Sequence, residues 1–174
     1  VRHGQTLFNL HYGATRQDPG IEDPGLTDLG RAQARAAAQT LAAQGVETVI
    51  ASPYRRALET ADIIAASLAV PVAIDPLVRE RAAFICDVGT PRSALTQLWP
   101  QHRFDHIEEV WWRGLDETET ELDRRCRDFR ARMAEHPRWE RVAVVTHWGV
   151  IRSLTGQKVD NGHLLRFDPT APPP

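Results

Sequence analysis

Three short runs of apolar, mostly β-branched residues punctuate the chain: Val46 to Ala51, Val70 to Ile74 and Val142 to Val145. Each is bounded by longer segments whose apolar residues recur at helical spacing. Thr27 to Gln44 is an alanine-rich stretch with Gly45 behind it, and Ala57, Ala61, Ile64 and Leu68 form one stripe. A long polar helix is expected from Glu117 to Glu135, and a short one over Pro91 to Leu98. Strands alternating with helices predict an α/β domain, a three-layer α/β/α arrangement around a central, mostly parallel sheet.

Local signals refine this outline. Residues 1–9 read as a strand end and its exit turn. Residues 10–25 carry Asp18-Pro19-Gly20 and Asp23-Pro24-Gly25, which is loop chemistry. Thr27 is an N-cap, and Ser52 is expected to cap a helix with Pro53 in its first turn. His163 to Phe167 is read as a final strand, and the tail from Pro169 to Pro174 as loose.

Composition sets the bounds. The 174 residues suit one domain with a sizeable core, and 42% hydrophobic with 25% charged residues describes a globular chain. No linker divides it, and residues 83–115, punctuated by Gly89, Pro91 and Pro100, are expected to form a cap or lid. A net charge of -2 argues against a general nucleic-acid or membrane-surface binder. No apolar run approaches the roughly 20 residues that span a bilayer. Cys86 and Cys126 form no CxxC pair and read as free thiols of a reducing compartment, so a cytoplasmic location is expected. The chain opens on Val1 without a methionine, and a strand is expected to precede it. Oligomeric state is not legible.

In such sheets ligands bind outside the carboxyl ends of the strands. Arg2-His3, Ser52 to Arg56 and His147 all fall at that edge. Arg2 and Arg56 supply planar, permanently charged forks that match phosphate oxygens, and Arg56 lies in a first helical turn where free N–H groups also favour an anion. His3 offers an imidazole nitrogen able to attack phosphorus, provided nearby arginines keep it unprotonated. His147 is a second donor for phosphoryl oxygens. Glu80 is placed to protonate the leaving oxygen and then to activate water. Gly4, Thr6 and Asn9 are candidate substrate contacts. Read singly, each has a plainer role: a structural histidine, surface arginines, a local ion pair around Glu80, or turn-holding by Thr6 and Asn9.

The sequence resembles the histidine phosphatase superfamily, also called phosphoglycerate mutase-like. The carriers are Arg2-His3-Gly4-Gln5-Thr6-Leu7-Phe8-Asn9, Leu26-Thr27-Asp28-Leu29-Gly30 with Ala32-Gln33-Ala34, Ser52 to Ala61, and Thr146-His147-Trp148-Gly149-Val150-Ile151-Arg152. The resemblance runs from Val1 to about Phe167. It implies that His3 is the phosphorylated residue, that Arg56 is the second arginine, and that no metal is required. A small phosphorylated substrate and no cofactor are expected, while a sugar phosphate, a nucleotide, a phosphoprotein and a polyphosphate would all present the same group to the site. The chain departs from the family pattern after Glu80, where Arg81-Ala82-Ala83-Phe84 replaces a glycine and a tryptophan-glutamate-glycine run, so Asp87 stands as the reserve acid. It departs again in the loop over 10–25.

A phosphomonoesterase working through phosphohistidine is the leading expectation. A phosphoglycerate mutase-type transfer and a non-catalytic phospholigand-binding module are the alternatives. His102 and His106 have metal-like spacing without an obvious third ligand. Trp111-Trp112 is read as core packing, with a substrate lid as the competitor. The arginines from Arg124 to Arg132 interleave with acids and read as a solvated helix face.

Overall fold

The computed structural model describes residues 1–173. Three parallel strands, β1 (Thr48–Ala51), β2 (Val72–Ile74) and β3 (Val142–Val145), form a sheet in the order β2-β1-β3. Val49 pairs with Val72 on one side of β1, and Ala51 with Val145 on the other. The chain start extends the sheet beyond β3. Arg2 bridges Thr146 in parallel, the Val1 ammonium donates to Val144 O at 2.7 Å, and His3 N–H donates to Thr146 O at 3.0 Å.

Strand alternation separates two cores. Val49, Ala51, Ala143 and Val145 face a cluster with α2 (Asp28–Ala42), α3 (Arg55–Leu68) and α4 (Arg92–Leu98). Ile50, Val142 and Val144 face a second with α5 (Glu119–Ala134) and α6 (Trp148–Thr155). The layers are therefore helix, parallel sheet, helix, as the alternation predicts. Thr27 caps α2, its Oγ1 accepting from Gly30 N–H at 3.0 Å. Buried Ala34, Ala37 and Ala38 on α2 and Ala57, Ala61 and Ala65 on α3 let those two helices lie close.

Several expectations are corrected. Residues 10–25 are not all loop, because α1 (Leu7–Thr15) occupies the first part. Its start is a capping box: Thr6 Oγ1 accepts from Asn9 N–H, and Asn9 Oδ1 accepts from Thr6 N–H. Such a cap contributes about 1 kcal/mol, enough to offset the similar cost of Gly13 inside the helix. Ser52 does not start α3 as a helix cap. Tyr54 is the N-cap position, and Asp23 Oδ1 accepts from Arg55 N–H at 2.9 Å from outside the helix. His163 to Phe167 forms no strand. The flank of β3 is already taken by Val1 to His3, so His163 O gains only the Arg2 N–H at 3.0 Å. The tail is tied before its end, with Arg130 donating to the carbonyls of Asp168 and Ala171; Pro174 lies outside the described residues.

The polar face of α5 also differs from expectation, since Arg125 is buried. Trp111 is buried in the first core and donates from Nε1 to Thr90 O at 2.8 Å. His102 and His106 turn to different partners, the Asp62 carboxylate and Ile74 O. Cys86 and Cys126 are free and buried.

Candidate active site

A cleft of about 500 Å3 opens at the carboxyl ends of β1 and β3. Arg2, His3, Thr6, Asn9, Arg56 and Glu80 all line it. A larger cavity of about 750 Å3 lies elsewhere, among Leu41, Val46, Met133, Leu164 and Phe167, and presents no histidine. The converging polar groups mark the smaller one as the site.

His3 reaches the cleft because the bridge between Arg2 and Thr146 carries the chain along the end of β3. Its ring is buried, and Nδ1 lies 2.8 Å from Gly4 O. A carbonyl only accepts, so Nδ1 carries the proton and Nε2 keeps its lone pair. Burial, reinforced by Arg56 and Arg2, holds the imidazole pKa well below the ordinary value. The ring centroid of His147 is 5.1 Å from that of His3. His147 is fully buried at the N-cap of α6, and its pKa is likewise depressed well below the ordinary value by burial and then by Arg56. Its Nε2 lies 2.7 Å from Ser52 Oγ, while Nδ1 is buried without a partner.

Arg56 is buried in the first turn of α3. One nitrogen donates to Cys86 O and another to Asp87 Oδ1, both at 2.9 Å, and the guanidinium lies 4.3 Å over the Tyr54 ring. Burial works against its charge, but Asp87 together with Cys86, Tyr54 and Asp23 raises the pKa above the ordinary value. Asp87 Oδ2 accepts from Ala83 and Phe84 N–H groups at 3.1 and 3.0 Å. Asp87 thus has both oxygens engaged as the anchor of Arg56. Arg2 donates to Val159 O at 2.7 Å and keeps a buried Nε without a partner.

Glu80 stands on a different kind of support. It follows the turn Pro76–Val78 in a stretch without regular structure, and its carboxylate accepts from Arg81 N–H at 2.9 Å and Gly149 N–H at 3.0 Å. Burial and the nearby Asp87 charge raise its pKa, while those bonds and Arg56 oppose the rise. A Cβ at position 149 would sit 2.4 Å from Glu80 Oε1, so any side chain there would push the Glu80 carboxylate aside. Behind Glu80, Arg125 donates to the carbonyls of Leu77, Arg79 and Glu80, and pairs with both oxygens of Glu117 at 2.7 and 3.0 Å.

Thr6 and Asn9 line the cleft and also form the cap of α1. Asn9 Oδ1 accepts from Thr6 N–H, Thr6 Oγ1 and Asn161 Nδ2, so its amide NH2 is the part left to face a ligand. Gly4 does not line the cleft. It packs against α2, where a Cβ would lie 2.3 Å from Gly30 O. Asn161, which also donates to His3 O, carried no sequence signal. Arg125 did carry one, since Leu122, Arg125, Cys126 and Phe129 follow helical spacing on one buried stripe.

Together these groups can hold a tetrahedral anion against an unprotonated imidazole nitrogen, with a carboxyl group alongside. Residues 1–171 match the model of the histidine phosphatase superfamily, branch 1. The chain belongs to that superfamily. Among relatives in this superfamily, phosphoglycerate mutase-like protein 4 of Arabidopsis thaliana is 35% identical over 162 residues, covering 88% of this chain and 67% of the relative. A glucosyl-3-phosphoglycerate phosphatase of Mycolicibacterium vanbaalenii is 33% identical, covering 95% of this chain and 76% of the relative. A solved mycobacterial glucosyl-3-phosphoglycerate phosphatase in complex with VO3 superposes with a TM-score of 0.59 at 28% identity, covering 87% of this chain and 75% of that one. A solved Escherichia coli protein described as a putative alpha-ribazole-5'-P phosphatase gives a TM-score of 0.62 at 25% identity, covering 93% and 85%. Relatives named as phosphatases therefore share both sequence and fold with this chain. No helix among the described residues is long and apolar enough to cross a membrane.

Proposed function

We infer that this protein is a phosphatase that hydrolyses a small phosphate monoester through a phosphohistidine on His3. The observation that carries the reading is the buried His3 ring, with Nδ1 tied to Gly4 O and Nε2 left free, beside Arg2, Arg56 and a second imidazole. In the first step His3 Nε2 attacks phosphorus, and the ester oxygen leaves with the electron pair of its bond and takes the Glu80 proton. In the second step water attacks the phosphohistidine, Glu80 takes the water proton, and the P–N bond breaks to restore His3 and release inorganic phosphate. Arg2, Arg56 and His147 hold the phosphoryl oxygens throughout, and the Asn9 amide adds a donor. No metal or other cofactor takes part. We take the chain as one catalytic domain acting in the cytoplasm, with residues 83–87 as the part of the 83–115 segment that touches substrate.

The pKa shifts favour this division of labour. With ordinary values near 6.5 for histidine and 4.3 for glutamate, only ~0.5% of molecules at the best pH would have His3 neutral and Glu80 protonated together. Burial lowers the His3 pKa and raises that of Glu80, so the two demands overlap over a wider range. Names of the relatives point to phosphate esters of sugar-like alcohols as the substrate class. The phosphoglycerate mutase-like relative keeps mutase-type transfer as the second reading. Phosphate release across a panel of phosphorylated metabolites tests the proposal: hydrolysis supports it. Interconversion of phosphoglycerates without net hydrolysis would replace it with the mutase, and phospholigand binding without turnover with a binding module.

A further inference from the structure

We propose that Ser52 is a positioning residue that fixes the tautomer of His147, so that Nδ1–H is the group His147 offers to the phosphoryl oxygens. The proposal rests on the phosphatase reading and adds a residue whose hydroxyl touches neither substrate nor the reacting atoms.

The sheet itself sets the pair. Ala51 and Val145 are register partners at the ends of β1 and β3, and Ser52 N–H donates to Val145 O at 3.2 Å. Ser52 and His147 therefore leave adjacent parallel strands side by side, both with no exposed surface. Ser52 Oγ and His147 Nε2 are 2.7 Å apart, which fixes a hydrogen bond but not its direction.

Donor bookkeeping gives the direction. Ser52 Oγ also lies 3.4 Å from Tyr54 N–H, a long contact in which it is the acceptor. Were Nε2–H to donate to Oγ, the serine proton would have no acceptor in a dry site. His147 would then turn a bare Nδ1 lone pair toward an incoming anion, which is repulsive. With Oγ–H donating to Nε2, the hydroxyl is satisfied on both sides and Nδ1–H remains. Nδ1 is the one ring nitrogen in this pair that is buried without a partner, and its ring packs 5.1 Å from that of His3. A phosphoryl group on His3 Nε2 would supply the missing acceptor. Both histidines then share one tautomer and use it oppositely. His3 buries its Nδ1–H against Gly4 O and presents a lone pair, whereas His147 buries its lone pair against Ser52 and presents a proton.

The direct test is nitrogen NMR of imidazole-labelled wild-type protein, which reads the protonated nitrogen of His147 whether or not a substrate is known. Nδ1–H on His147 supports the proposal, and Nε2–H overturns it. The second arm is Ser52→Ala, with orthovanadate as a mimic of the pentacoordinate state and inorganic phosphate as the ground-state probe. Vanadate inhibition should weaken several-fold, by the factor by which the Nδ1–H population falls. Phosphate affinity should change far less, and the His147 signal should become a mixture of tautomers. Unchanged vanadate inhibition with an unchanged tautomer would overturn the assignment. A wild type that shows Nδ1–H yet hydrolyses no phosphate monoester would sink the phosphatase reading and leave the tautomer assignment standing.

Discussion

The two walls of the cleft are held in place by different means. Arg2 and His3, with the fully buried His147 beside them, sit at strand ends where the backbone ladder between β1, β3 and residues 1–3 sets their positions, while the Arg56 guanidinium is held by Asp87. Glu80 sits in irregular chain, where side chains replace the ladder: Arg125 gathers three carbonyls of residues 77–80, and Glu117 balances its charge. A site hung from backbone pairing survives the loss of one side chain better than one hung from a buried ion pair. The strand-end part of the anion-holding wall, Arg2 and His3, should therefore be robust and the acid wall fragile.

Apart from loss of the nucleophile itself, the largest expected effect lies on the acid wall. Glu80→Gln should cut turnover of alkyl phosphates by roughly 10²–10⁴, the usual span for a general acid, with a smaller loss for aryl phosphates whose oxygen leaves without help. The sign of the pH effect follows from the shifts. Glu80 is raised, so the rate falls as pH climbs through its pKa; His3 is lowered, so the acid limb appears only well below the ordinary histidine value. A pH–rate profile should lose its alkaline limb in Glu80→Gln. Retention of that limb would move the acid role elsewhere.

Next in size is Arg125→Ala. It strands the buried Glu117 carboxylate, which burial disfavours and Arg125 and Arg79 otherwise hold below the ordinary glutamate pKa. Losing one partner of a buried pair costs about 3–5 kcal/mol, which urea denaturation would read. A loss under about 1 kcal/mol, the range of an exposed pair, would show that the acid wall does not depend on this network. The smallest effect belongs to the other wall. Thr6→Ala removes one cap bond of α1 and should destabilise by about 1 kcal/mol, with turnover nearly unchanged, because the ladder still places His3. A large loss of turnover there would put Thr6 among the substrate contacts.

The same contrast explains what the sequence reveals. Strand-end residues are legible because β1 and β3 announce themselves as apolar runs, and the chain order then places Arg2, His3 and His147 together. Glu80 is legible as an acid between two arginines, but its support is not. Arg125 looks like one of several arginines on a charged helix, although its place in the stripe of Leu122, Cys126 and Phe129 marks it as inward-facing. Asp87 looks like a spare acid until Arg56 and the Ala83 and Phe84 N–H groups are seen to occupy both oxygens. α1 is hidden by Gly13 and revealed only by the reciprocal bonds of Thr6 and Asn9. Pairings set by long-range geometry, such as Asn161 with His3 O, leave no local trace.

Rapid acid-free quenching during turnover, followed by peptide mapping of bound phosphate, tests the central claim most directly. The account predicts covalent phosphate on the peptide that contains His3, stable to base, lost in acid, and absent together with turnover in His3→Ala. Phosphate release that persists in His3→Ala, with no phosphorylated histidine trapped in the wild type, would contradict it.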